Sequence, residues 1–147
     1  MDATELARDR AAAVADRPEL LGTPLPIRDE HGRDHGWFVP LVEHQHILGF
    51  VDLDRDLVHR RTSLFAARQG SDSHPPPAGW WLDRDVVQDH ARPALDDDER
   101  MGDPYLSFDT VPDRLAWAVP VSGPNGDRIV FVAGAAVWSA SRGYRQE

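Results

Sequence analysis

The segment Trp37-Phe38-Val39-Pro40-Leu41-Val42 returns about 80 residues later as Trp117-Ala118-Val119-Pro120-Val121. Each copy leads into a short polar break and a second apolar run, over residues 47–53 in the first case and 129–138 in the second. Apolar runs rich in β-branched and aromatic residues, joined by tight polar breaks, fold as β-hairpins. The chain must therefore accommodate two ribbons of similar chemistry. Proline cannot donate to a ladder and is confined to edges, bulges or sites where its amide position faces away from a partner. Pro40 and Pro120 thus predict that both leading strands are edge-like at those positions. Two arrangements satisfy the repeat: a duplicated half-domain, or one sheet built from two hairpins. The unequal hairpin loops and the lack of a matching third strand after Trp138 favour one sheet.

The flanking sequence supplies helices and connectors. Asp2 with Glu5 three residues on resembles a capped helix start, and Leu6, Ala13 and Val14 share one face, which predicts a helix over residues 3–15 stopped by Pro18. Residues 20–36 carry prolines, glycines and alternating charges and are expected to form a loop. Asp54-Arg55-Asp56 marks a turn into a third strand over residues 57–64, giving three adjacent antiparallel strands. The Pro-rich stretch 69–79 reads as a spacer joining two halves, 1–68 and 80–147, of a single domain. A second helix is expected from Arg84 to Ala91, capped by Asp83 and closed by Pro93. Asn125-Gly126 signals the turn of the second hairpin, since both residues tolerate positive φ. The resulting class is α+β: an antiparallel sheet of about five strands with one or two short helices on one face.

Composition removes several chemistries. All 16 basic residues are Arg, so no lysine is present to form a Schiff base or to occupy a phosphate loop. There is no Cys, which excludes disulfides, thiolate nucleophiles and Cys-ligated metals. The formal net charge of −9, with Arg dispersed among Asp, argues against nucleic acid as a partner. No segment reaches the roughly 18 apolar residues that span a bilayer, and the start lacks an export signal, so no membrane association and a cytoplasmic location are expected. No cofactor is expected: there is no dinucleotide fingerprint, and no serine sits in a nucleophile elbow.

Histidine offers the one metal hypothesis. His44 and His46 lie at same-face spacing on a strand, with His59 as a third candidate. If the turn falls at residues 54–56, His59 pairs near Val51, about five residues from His46, which at ~3.3 Å per residue is ~16 Å. Zinc holds imidazole nitrogens at roughly 2 Å. Asp52-Leu53-Asp54-Arg55-Asp56 begins like a calcium loop but has Leu57 where the turn needs glycine and Ser63 where a bidentate Glu belongs. The acidic run 96–99 reads as a solvated loop segment.

Tryptophan is the better guide to contact. Trp37 and Trp117 begin strands. Trp80-Trp81, on a segment read as extended, point to opposite sides, so that one is free to anchor a partner. The aromatic-led strand, turn and strand rhythm resembles the hairpins of PepSY-type and cystatin-like domains over about a third of the chain. That resemblance implies a helix packed over an antiparallel sheet and a role in binding or restraining proteins; it transfers no functional residue. The expected role is a non-catalytic interaction or regulatory module engaging a protein partner, with Trp37, Trp80, Trp81 and Trp117 as candidate binding residues and no catalytic residue. The alternative is a small metal-dependent enzyme or metal-binding protein using His44, His46 and His59, with Asp52 nearby.

Overall fold

The computed structural model describes residues 2–65 and 75–140. The chain forms two compact units, Met1–Ile27 with Asp34–Ala78, and Arg28–Arg33 with Gly79–Glu147. The α+β class and antiparallel pairing hold, with the strands divided between a four-stranded and a five-stranded sheet.

In the first unit, helix α1 (Ala3–Val14) starts where Asp2 accepts a hydrogen bond from the Glu5 amide at 2.9 Å. Pro18 begins a short 3-10 turn, Pro18–Leu20. Strands β1 (Leu25–Arg28), β2 (Asp34–Glu43), β3 (His46–Asp54) and β4 (His59–Leu64) follow and lie in that order across the sheet. The expected loop over residues 20–36 thus contains a strand and the start of another. Helix α1 lays Ala7 and Ala11, four residues apart, on Val39, Leu41, Val51 and Leu53. The stripe named from the sequence faces outward instead: Leu6 and Val14 are 39% and 42% exposed. Two alanines let the helix axis approach the sheet, whereas Leu6 and Val14 on that face would hold it away. An isolated 12-residue helix is marginal in water, so this contact is what keeps α1 folded.

The β2–β3 turn has His44 and Gln45 at φ 52° and 67°, the paired left-handed geometry of a two-residue hairpin. At the next turn the Asp54 carboxylate accepts from the Asp56 and Val58 amides at 2.9 and 3.0 Å, so the calcium-like sequence is consumed as an Asx turn. The described end of the Pro-rich stretch pairs with this unit: the Pro76 carbonyl accepts from Ile47, and Ala78 donates to Gln45, each at 2.9 Å. The rest of that stretch, residues 69–74, lies outside the described residues.

The second unit opens with α2 (Gly79–Leu82), a helical turn where an extended segment was expected, and α3 (Arg84–Ala91), whose ends fall at the expected cap and proline. After a 3-10 turn (Arg92–Ala94) come β5 (Arg100–Met101), β6 (Tyr105–Phe108), β7 (Leu115–Gly123), β8 (Gly126–Ala133) and β9 (Ala136–Ser139). β5 and β6 both pair with β7, which pairs with β8, which pairs with β9. The apolar run over residues 129–138 breaks at Gly134, whose φ is 62°, and so supplies a third strand, β9, where none is expected from the sequence. Of the hairpin turn residues 123–126, Gly126 alone has positive φ, at 107°.

The second unit repeats the first residue by residue. Leu21 bridges Leu41, and Met101 pairs with Val121. The Gly22 amide donates to the Pro40 carbonyl at 2.8 Å, and Gly102 to Pro120 at 2.7 Å. Trp37 faces Leu53 and Trp117 faces Val132; Glu43 closes on His46 and Gly123 on Gly126. Two similar half-units, each with its own sheet, replace the single sheet favoured from the sequence. The prolines are likewise not on edges: β2 and β7 are interior strands. The neighbouring edge is interrupted beside each proline, between Leu21 and β1 in one unit and between β5 and β6 in the other. A strand residue's N–H and C=O point to the same side, so splitting the edge there avoids a demand for the donor that proline lacks, while the carbonyl is still used.

Candidate functional site

The segment that leaves α1 (residues 15–17), the 3-10 turn and strands β2, β3 and β4 enclose an apolar groove of ≈ 470 Å³, all within the first unit. Leu20, Leu41, Leu48 and Leu64 supply its apolar lining, joined by Ala15 and Thr62, with Asp16 and Arg17 also contributing. Leu41 belongs to the core, Leu20 and Leu48 are half-buried, and Leu64 is 50% exposed. The volume falls within the roughly 300–1,000 Å³ of ordinary ligand sites. Arg17 is held by Glu43 at 2.9 Å and Glu19 at 3.5 Å, so its charge is answered within the unit. These leucines come from four separate segments, which is why the alternation within any one strand did not reveal the groove.

The tryptophans occupy different positions from those of free anchors. Trp117 and Trp81 are 2% and 6% exposed, and the Trp117 indole N–H donates to the Trp81 carbonyl at 3.0 Å. Trp37 packs against the core of the first unit. Trp80 is half-buried, its ring 5.5 Å from that of His90, which bonds the Gly134 carbonyl at 2.8 Å. Trp138 donates to Asp109 at 2.8 Å.

The three candidate metal histidines are spread along the sheet. His46 faces Glu43 at one end of β3, while His59 faces Leu53 near the other. Seven residues of strand separate those positions, which at ~3.3 Å each is ~23 Å. Among the described residues, no three His, Cys, Asp or Glu side chains gather to hold a metal ion. His46 Nδ1 donates to the His44 carbonyl at 3.0 Å, and His59 Nε2 is 2.9 Å from the Thr62 hydroxyl.

Asp52 is the most unusual ionisable group. Its side chain is 1% exposed; one oxygen lies 3.3 Å from Arg61 and 3.9 Å from Arg60, and the other has no hydrogen-bond partner among the described residues. Arg60 also contacts His35 at 3.2 Å, and the Arg61 guanidinium lies 5.3 Å from the Phe50 ring centroid. The corresponding strand position in the second unit, opposite the third strand, is Phe131, which packs on Trp138 at 5.7 Å. A carboxylate stands where the repeat tolerates an aromatic ring, so the topology does not require it. Burial pushes the Asp52 carboxyl above the usual carboxylate range, against the opposing pull of Arg60 and Arg61. The folded state therefore holds that proton more tightly than the unfolded chain, and its stabilising effect, complete below the unfolded pKa, is lost as pH rises through the folded value. Asp52→Asn should gain stability relative to the parent as pH rises from about 4 towards neutrality. Urea titrations across that range check this; a parent that gains on the variant with rising pH would contradict the assignment.

The acidic run is also more structured than a solvated loop. Glu99 forms two bonds with Arg128, at 2.8 and 2.9 Å, and accepts from the Asp96 amide. The Arg128 hydrogen bond holds the Glu99 carboxyl down to about 2. Arg128 also reaches the Ala94 carbonyl and the Ser139 hydroxyl, both at 2.7 Å, and so ties the 3-10 turn to β9.

No family model, curated protein or solved structure matches this chain. No helix among the described residues is long and apolar enough to cross a membrane.

Proposed function

We propose that this chain is a non-catalytic protein-interaction module that takes a segment of a protein partner into the apolar groove of its first unit. The observation that carries the reading is the row of four leucines lining an open groove, with Leu64 half exposed to water. Exposed apolar surface gains nothing for an isolated chain, and concentrated in one concavity it marks a contact site. The groove suits the mode in which a segment presents apolar anchors at helical or strand spacing. The binding role thus passes from the tryptophans, two of which are buried, to the leucines.

The test is a capture experiment with the full chain as bait, followed by reconstitution with the identified, purified partner. Leu64→Glu should weaken that complex at least tenfold while leaving the circular dichroism and unfolding midpoint of the chain unchanged, because Leu64 contributes little to the core. Undiminished binding by Leu64→Glu would remove the groove from the reading. Stoichiometric metal in the purified protein, lost in both His44→Ala and His46→Ala, would overturn the interaction module in favour of a metalloprotein.

A further inference from the structure

The two charged residues that line the groove are not equally answered: Arg17 is paired within the unit and Asp16, among the described residues, is not. Helix α1 ends at its rim with no basic residue in its last turn. Ala15 donates to the Ala11 carbonyl, and among the described residues no backbone amide reaches the carbonyls of Ala12, Ala13 or Val14. A helix terminus of this kind carries the negative end of the helix dipole, and side chains that complement it are cations. Asp16, the next residue but one after the helix, lines the groove as an exposed carboxylate with no ion pair among the described residues. Arg17, the nearest cation in sequence, is already engaged by Glu43 and Glu19. Arg8 is directed to the Leu21 carbonyl at 3.0 Å. Apolar walls beside a carboxylate and a helix end that no described cation answers define an amphipathic ligand whose polar edge is positive.

We infer that the segment seated in the groove carries a Lys or Arg beside its apolar anchors, placed against Asp16 and the C-terminal end of α1. This rests on the groove being the binding site and adds the chemistry of its occupant. Neither contribution is large at a solvated rim. Helix-end and exposed ion-pair effects together set a preference of roughly fivefold for a basic over an acidic flank. Screening reduces it as salt rises, the Debye length being about 8 Å at 0.15 M.

The probes are two model helical peptides of about 14 residues sharing one leucine face, one with Lys and the other with Glu on the polar face. Each is titrated into the isotopically labelled full chain at about 0.15 M salt, and binding is read from the backbone amide shifts of Leu48 and Leu64. Because the whole chain is acidic, two charge reversals are compared: Asp16→Lys at the rim, and Glu30→Lys, an exposed residue that does not line the groove. The expected result is a roughly fivefold preference for the Lys peptide that Asp16→Lys abolishes and Glu30→Lys preserves. Equal binding of the two peptides in the groove, or equal loss of preference in both variants, would overturn the charge inference and leave the groove standing. No shift at Leu48 or Leu64 with either peptide would overturn the groove as well.

Discussion

Trp117→Ala should cost the second unit about 3–5 kcal/mol, the range for truncating a fully buried aromatic, whereas Trp37→Ala at the same place in the first unit should cost about half as much. The two residues occupy equivalent strand positions, yet their surroundings differ. Trp117 is 2% exposed, its indole N–H donates to the Trp81 carbonyl, and the Arg84 guanidinium lies 5.9 Å from its ring centroid. Truncation opens a cavity and also leaves that carbonyl without its donor, a further penalty of about 1–3 kcal/mol if water does not enter. Trp37 is only partly buried against its core, and water can occupy part of the space it leaves. Trp117→Phe separates the two contributions, since it restores most of the volume but not the donor; it should recover most of the loss. Far-UV circular dichroism in urea is the measurement, because each substitution itself alters the tryptophan fluorescence. The two units can unfold in separate steps, so the affected transition must be fitted alone. Equal losses for Trp117→Ala and Trp37→Ala would mean that burial and the indole hydrogen bond do not distinguish the repeats.

What could be read in advance follows from how local each signal is. Helix α3 begins at Asp83 and ends before Pro93 because capping and the missing proline donor act within a few residues. The turn at residues 43–46 was legible for the same reason. The extent of α1 was read correctly but its face was not, since choosing Ala7 and Ala11 over Leu6 and Val14 depends on how close the sheet lies. Pro40 and Pro120 pointed to edge strands because a single sequence cannot show that the neighbouring edge is interrupted beside each of them. Strand β1 was hidden by Pro26 and the charges that follow it, and β9 by a turn that Gly134 alone announces. The groove lay beyond any local pattern: Leu20, Leu41, Leu48 and Leu64 meet only when helix and sheet pack. Asp52 reads as part of a charged turn until the sheet buries it.

Gly49→Ala should be among the most damaging single substitutions in the first unit, costing about 3 kcal/mol or more. Gly49 lies on β3 opposite Leu41 on β2 and Leu64 on β4, beside the irregularity in register at Leu41 and Val42. A Cβ at this position would collide with the carbonyl oxygen of Ser63 and approach the Leu64 Cα to 2.9 Å. Both obstacles are backbone, so no rotamer change relieves them; β4 must shift along or away from β3. Gly32 makes the useful comparison, because there a Cβ meets nothing within 4 Å and only φ of 77° opposes it. Gly32→Ala should therefore cost about 1 kcal/mol, the penalty of the left-handed backbone alone. The displaced strand carries Thr62 and Leu64, and the neighbouring Leu48 lies on β3, so Gly49→Ala should also open the groove that these residues line. Two readouts follow from one cause: a lowered urea midpoint, and loss of Leu48 and Leu64 amide shifts on titration with the Lys-bearing peptide. A Gly49→Ala chain no less stable than Gly32→Ala would show that β4 yields without cost, and that the close approach of β3 to β4 does not fix the wall of the groove.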